Sequence, residues 1–383
     1  MSRIVVSGKL AATPRMGGAT WVVLQYLLGL QRLGHEVCFV EPIASSALRP
    51  EGTSLADSDN AAYFEDVTQH FGFERFSALV LENSRETVGL DYKHLRTLTR
   101  GADLLVNLSG LLADDDLIGP IPIRAFVDLE PAFTQVRHLA GGIDLGIDRH
   151  THWVTVGSAV GEPGCGVPTC DLPWISTFQP LVLDRWPVNR QLTRHALTTV
   201  ATWDGGATVE HAGTVYGHKA HSLRECINLP ARTDEQFLLA LSLEGNCSND
   251  LASLSRNGWQ LVDAERVTGT PDAYRRFIQR SWAELGVARS GYVVSRGGWF
   301  SDRSACYLAS GRPVIAQDTG FGRFLPTGKG LFAFRDCDDV LAAIRLLRHD
   351  YAYHARAARA IAVEYFDSDK VLGRLLAKLG VAG

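Results

Sequence analysis

Two spacings of apolar residues alternate along this chain. Short uninterrupted apolar runs suit strands buried on both faces, and stretches with three- and four-residue spacing suit helices. Ile4-Val5-Val6 is a run of the first kind. A loop containing Met16-Gly17-Gly18 follows, and then Val22, Val23, Tyr26, Leu27, Leu30 and Leu33 mark one side of a helix. Gly34-His35-Glu36 turns the chain into a second strand at 37–40. That is a βαβ start, from which right-handed parallel crossovers follow. Further strands are predicted at 78–81, 103–107, 123–128 and 153–156. Residues 157–187 are rich in Gly, Pro and Trp and interrupt the alternation. It restarts with a strand at 197–203, followed by Asp204-Gly205-Gly206. Gly217-His218-Lys219 and a helix through Leu223 and Cys226 come next. Strands at 237–243, 259–262, 291–295 and 314–316 complete a second parallel set. From Asp336 onward the spacing is helical, with Val340, Ile344 and Leu347 on one face and Leu372, Leu375, Leu376 and Leu379 on another. The pattern predicts an α/β protein of two Rossmann-like domains facing across a cleft, residues 1–185 and 186–383.

Chemistry concentrates between 291 and 324. This stretch reads as a strand, the loop Arg296-Gly297-Gly298, a helix, a tight turn at Gly311-Arg312-Pro313, a strand and a second loop, Asp318-Thr319-Gly320. Ser301 is placed to cap the helix, which turns Ala305, Leu308 and Ala309 inward. In a parallel sheet, ligands sit at the carboxyl ends of strands, where loops and helix N-termini offer backbone N–H groups to anions. Two such loops on neighbouring strands would form one phosphate-and-sugar site, with Arg296 and Arg303 as cations and Asp318 as a hydroxyl acceptor. An ordinary βαβ unit with tight turns is the other reading. In the first half, Asp128 ends a strand just before Leu129-Glu130-Pro131. It either faces the cleft as a general base or caps the helix that Pro131 starts. Asp114-Asp115-Asp116 reads as a solvated acidic turn or helix start, because three adjacent side chains cannot converge on one ion.

Composition supports a large enzyme. At 383 residues the chain exceeds one comfortable core. Its 46% hydrophobic and 21% charged residues can bury two. A net charge of −4 gives no electrostatic reason to expect nucleic acid or an anionic membrane as partner. Seven cysteines without paired spacing suit a reducing compartment. No metal site is read from the sequence: Cys165 and Cys170 have no histidine at zinc-finger distance. With no charged-then-apolar leader and no apolar run of membrane length, the expected location is cytoplasmic.

The run ACYLASGRPVIAQDTGFG resembles the nucleotide-sugar half of GT-B glycosyltransferases. These commonly read Ala-x-Gly-x-Pro-Val followed by a serine or threonine, an aspartate and a glycine. Ala309-Ser310-Gly311-Arg312-Pro313-Val314 falls on that core and Asp318 on its aspartate. Cys306 stands where many members carry a glutamate that binds the nucleotide ribose. The resemblance implies the GT-B architecture, a nucleoside-diphosphate sugar as substrate without further cofactor, and a small-molecule or glycan acceptor. It implies that Gly17 and Gly18 are the pair that starts the first helix and reaches across to the donor. Lys219 resembles the lysine that binds the donor diphosphate, a surface lysine being the alternative. The donor set expected on this basis is Gly17, Gly18, Lys219, Arg296, Gly297, Gly298, Ser301, Arg303, Asp318, Thr319 and Gly320. Asp128 is then the base of a metal-independent direct displacement. The resemblance also implies a last helix that crosses back to the first domain. A non-hydrolysing sugar-nucleotide epimerase of the same fold and a two-domain sugar-binding protein are the competing readings.

Overall fold

The computed structural model describes residues 1–140, 144–189, 193–203, 208–243 and 247–381. The Asp204-Gly205-Gly206 turn predicted after the strand at 197–203 lies outside them. The first sheet holds eight strands, β1 (Arg3–Ser7), β2 (Glu36–Ile43), β3 (Ser77–Leu81), β4 (Thr87–Gly89), β5 (Leu104–Leu108), β6 (Ile123–Asp128), β7 (His152–Thr155) and β8 (Trp174–Ser176). Their order is β4-β3-β2-β1-β5-β6-β7-β8, and only β4 runs antiparallel to its neighbour. Next come β9 (Ala196–Thr202), the hairpin strands β10 (Val209–His211) and β11 (Thr214–Tyr216), β12 (Gln236–Ser242), β13 (Gln260–Asp263), β14 (Ala283–Gly286), β15 (Val314–Gln317) and β16 (Leu331–Phe334). Six of them form a parallel sheet in the order β13-β12-β9-β14-β15-β16. Central strands are buried on both faces, as Ile4, Val5 and Val6 are in β1 and Val314 and Ile315 in β15. Helices therefore cover each sheet on both sides.

Strand order reverses at β1/β5 in the first sheet and at β9/β14 in the second. A crevice opens at such a point because the flanking connections leave on opposite faces. The loop after β1 and the carboxyl end of β9 meet, so the two crevices are one.

One predicted strand is a helix. Residues 291–295 belong to the helix Ser290–Ser295, and the strand is β14, earlier in the chain. Glu284 interrupts the apolar run of β14 and hides it from a pattern search, while Tyr292-Val293-Val294 imitates a strand. Tertiary packing overrides the β-branched preference. Gly291 lies against the Phe133 ring, where a Cβ would come within 2.6 Å of Cζ.

The tail crosses back onto the first half. Leu181 N–H donates to Phe366 O and Ser368 N–H to Leu181 O, at 2.7 and 2.9 Å. The helix Ser368–Lys378 then packs on the helix Gly17–Arg32. Gly29 makes room for it, since a Cβ there would meet Leu372 Cδ1 at 2.5 Å. Arg32 seals the contact through Asp369 at 3.1 Å and Asp184 at 2.5 Å. Among the described residues no helix is long and apolar enough to cross a membrane.

Candidate functional site

A cavity of about 200 Å³ lies where the two crevices meet. Arg15 to Ala19, at the start of the first helix, line one wall. The other wall comprises the ends of β9 and β12, the helix Ala264–Thr268, Lys219, Tyr274 and the start of the helix Asp302–Ala309. The walls are in contact. Gly17 faces the carbonyls of Thr268 and Thr270, which a Cβ would approach to 2.5 and 2.4 Å. Gly18 lies on the Tyr274 ring, at 3.0 Å from the same imagined atom. Trp21 donates its indole N–H to Pro271 O at 2.8 Å, and Arg15 pairs with Glu265 at 2.9 Å. Only glycine fits the approach at position 17, because the opposing atoms are backbone.

Glu41 on β2 fixes the loop that leads to this wall. Its fully buried carboxylate accepts the N–H groups of Leu10, Ala11 and Ala12 at 2.7–2.9 Å. Burial pushes this carboxyl up to about 7, against the pull of those three donors. The helix Gly17–Arg32 then begins with no side-chain cap and no acidic residue in its first turn. Its free N–H groups and dipole leave positive potential at the cavity.

Four groups shape the electrostatics of the opposite wall. Lys219 is half-buried, and no hydrogen-bond or ion-pair partner reaches its ammonium among the described residues. Burial, and then the neighbouring Arg303, hold its pKa well below the ordinary lysine value. Arg303 is buried and committed elsewhere, with Nε on Glu284 Oε1 at 2.5 Å and one terminal nitrogen on Val200 O at 2.9 Å. Its positive charge is neutralised by β14, so the expectation of a free diphosphate-binding guanidinium is corrected. Ser301 occupies the N-cap position of its helix but makes no side-chain cap bond. Asp302 follows it, with burial raising its carboxyl above the usual range.

Lys219, Ser301, Arg303, Gly17 and Gly18 thus line the cavity, whereas Arg296, Gly297, Gly298, Asp318, Thr319 and Gly320 do not, although Thr319 shares a void of about 10 Å³ with Ser301 and Arg303. Gly298 N–H donates to Thr319 O at 2.9 Å, Gly320 N–H to Asp318 Oδ1 at 2.8 Å, and Arg296 lies 3.7 Å from Asp318. Thr319 donates its hydroxyl to Trp299 O. This cluster is joined to the first half of the chain by Ala159 N–H to Gly297 O at 3.0 Å, by Gly166 N–H to Ser295 O at 2.7 Å and by a bridge between Gly157 and Trp299. Gly298 has φ +71°, and a Cβ there would strike Ala159 N at 2.9 Å. Its glycine serves the close approach of two backbone segments.

Asp128 also leaves the list of reactive groups. It is fully buried and does not line the cavity. Oδ1 accepts from Glu130 N–H at 3.0 Å and Thr134 hydroxyl at 2.6 Å; Oδ2 accepts from Gln135 at 2.9 Å and Thr155 at 2.8 Å. Burial raises its pKa, and these donors oppose the rise. With four donors around it, the carboxylate has no open lone pair for an acceptor proton. It caps no backbone N–H of the helix Phe133–Ala140 either, and instead ties the turn after β6 to the side chains of Thr134, Gln135 and Thr155.

Sequence reading missed two residues. Tyr274 shares helical spacing with Phe277 and Ile278 and so reads as plain core. Arg289 crosses to the first half, both Glu130 carboxylate oxygens lying 3.0 Å from one guanidinium nitrogen, above the Phe133 ring at 4.6 Å. Glu130-Pro131 was legible only as a helix start. Cys306 is buried beside Trp21 and Gln25 around a separate void of about 10 Å³, away from the cavity floor. No three His, Cys, Asp or Glu side chains among the described residues are placed to hold a metal ion.

Neither a protein-family model nor a curated protein sequence matches the chain. Solved structures do match it over its whole length. An alpha-glucosyltransferase in complex with UDP-glucose and DNA containing an abasic site has a TM-score of 0.60 and 11% identity, covering 99% of both chains. Anabaena Alr3699/HepE in complex with UDP-glucose has a TM-score of 0.61 and 10% identity, over 99% of this chain and 100% of the other. AviGT4, a glycosyltransferase involved in avilamycin A biosynthesis, has a TM-score of 0.54 and 14% identity, over 99% and 97%. Two parallel sheets joined at facing crevices, with a tail helix returned to the first, give this chain the GT-B fold of those glycosyltransferases.

Proposed function

We propose that the chain transfers a sugar from a nucleoside-diphosphate donor held in the cavity between the two crevices. The observation that carries this reading is the unpaired ammonium of Lys219, which faces a cavity where a helix begins uncapped. A half-buried cation with no carboxylate in direct contact is unfavourable in the empty protein, and a diphosphate supplies a close counter-charge. During transfer, negative charge grows on the leaving phosphate. Lys219 and the N–H groups at 17–18 are placed to stabilise it without a metal ion. Arg303 contributes by anchoring its helix to β14 through Glu284. UDP and UDP-glucose in the similar structures support a nucleotide sugar as donor. Asp128 has no part in this chemistry, and we name no base in its place.

The acceptor enters from the first-domain side in this reading. The alpha-glucosyltransferase structure contains DNA. For this chain the net charge of −4 supports a small molecule or glycan instead. Calorimetric titration with UDP, GDP, ADP, CMP and dTDP in EDTA is the direct test. At least one should bind, and Lys219→Ala should weaken it by roughly 1.5–3 kcal/mol, the scale of a lost charge-assisted hydrogen bond. Equal affinity in the variant would reject the role of Lys219.

A further inference from the structure

Tyr274 projects from the helix Pro271–Arg280 into the wall of the cavity, opposite Gly18. Its side chain is 3% exposed, yet among the described residues no group accepts from or donates to its hydroxyl. Buried phenols differ in this respect: Tyr26 is also unpartnered but does not line the cavity, whereas two others are bonded. Tyr307 shares a hydrogen bond with Thr198 at 2.7 Å, and Tyr351 donates to Trp282 O at 2.6 Å. The Tyr274 hydroxyl is at the cavity wall, where no protein group satisfies it and a ligand atom can reach it. If packing were its only duty, phenylalanine would fill the same space.

We infer that the Tyr274 hydroxyl binds the donor, giving a hydrogen bond to a diphosphate oxygen shared with Lys219. This assignment rests on the donor reading above. Three features select phosphate over the other parts of a nucleotide sugar. Tyr274 and Lys219 line one small cavity together with the start of the helix Asp302–Ala309, so a group reaching both is compact. Burial pushes the phenol pKa up, which keeps it a proton donor, and a donor suits an anion. Gly18, which the ring touches, belongs to the uncapped helix start whose free N–H groups also favour an anion.

Tyr274→Phe removes one oxygen and no protein hydrogen bond. Its melting temperature should equal or exceed that of the parent, which separates a ligand role from a structural one. Calorimetry is then run on both proteins with uridine and with UDP, and with the GDP, ADP and dTDP pairs should another base bind. The diphosphate should bind about tenfold more weakly to the variant, with nucleoside affinity unchanged. Unchanged diphosphate affinity would overturn the assignment, as would an equal loss for nucleoside and diphosphate. A fall of several degrees in melting temperature would return the hydroxyl to the fold and overturn it too. If the parent binds no nucleoside diphosphate, the donor reading falls and takes this assignment with it. Failure confined to the variant leaves that reading standing.

Discussion

The cavity floor around Lys219 and the paired loops at 296–298 and 318–320 lie in the same half of the chain and draw on the same residue types. Each has a cation, an aspartate, a hydroxyl and nearby glycines. In the loops these groups satisfy one another: Arg296 meets Asp318, Asp318 meets Gly320 N–H, and Thr319 meets the backbone of Trp299. On the floor, Lys219 and Tyr274 reach nothing among the described residues. Residue type therefore does not separate a binding site from a brace, whereas the state of the hydrogen-bonding groups does. Polar groups that a fold has already paired hold the fold, and those left open beside a cavity are the ones we propose to meet a ligand.

This contrast can be broken most strongly at Arg303, which lines the cavity but belongs by its bonds with the braces. Arg303→Ala strands the buried Glu284 carboxylate, and chemical denaturation should show a loss of about 3–5 kcal/mol. A soluble, fully stable variant with weakened nucleotide binding would instead move Arg303 back to the floor. Asp128→Asn should have a smaller effect, roughly 1–3 kcal/mol of stability, because two donors must reorient around the new amide. Turnover measured on the same preparation should stay within about threefold of the parent. A drop of about 10²–10⁴-fold with unchanged melting temperature would restore Asp128 as base.

The mildest test uses pH. Burial favours the neutral form of Lys219 in the empty protein, and a bound diphosphate favours the ammonium. The complex therefore holds more protons than its parts, and nucleotide affinity should fall as pH rises through the lowered lysine pKa. Titrations in two buffers of different ionisation enthalpy should reveal proton uptake on binding, and Lys219→Met should abolish it. Proton release on binding would contradict the assignment of Lys219 as the open cation.

Much of the architecture was legible because parallel strands are apolar on both faces. Ile4-Val5-Val6 and the strand ending at Asp128 could be placed within a residue or two of their observed bounds. β14 escaped because Glu284 sits in its centre, and its ion pair to Arg303 exists only in three dimensions. The edge strands β4, β8 and β16 are too short to show a period. Gly17, Gly18 and Lys219, expected from the resemblance, do line the cavity. At 296–298 and 318–320 a glycine before a helix reads the same whether it admits a phosphate or another backbone. Only the position of Ala159 N, beside the missing Cβ of Gly298, separates the two cases. Tyr274 could not have been picked out, since a missing hydrogen-bond partner leaves no mark on helical spacing.

The return of the last helix bears on how the chain is made. Arg32 and Asp369 are 337 positions apart, yet they close one contact over Gly29 and Leu372. During synthesis, which adds residues at about 5–20 per second, the first sheet emerges well before the helix Ser368–Lys378 that covers it. Until then the Leu372-facing side of the first helix is open to solvent and to other chains. A ribosome pausing before residue 368 would lengthen that exposure, so the hazard in making this protein lies with the helix Gly17–Arg32 and not with the helix that later covers it.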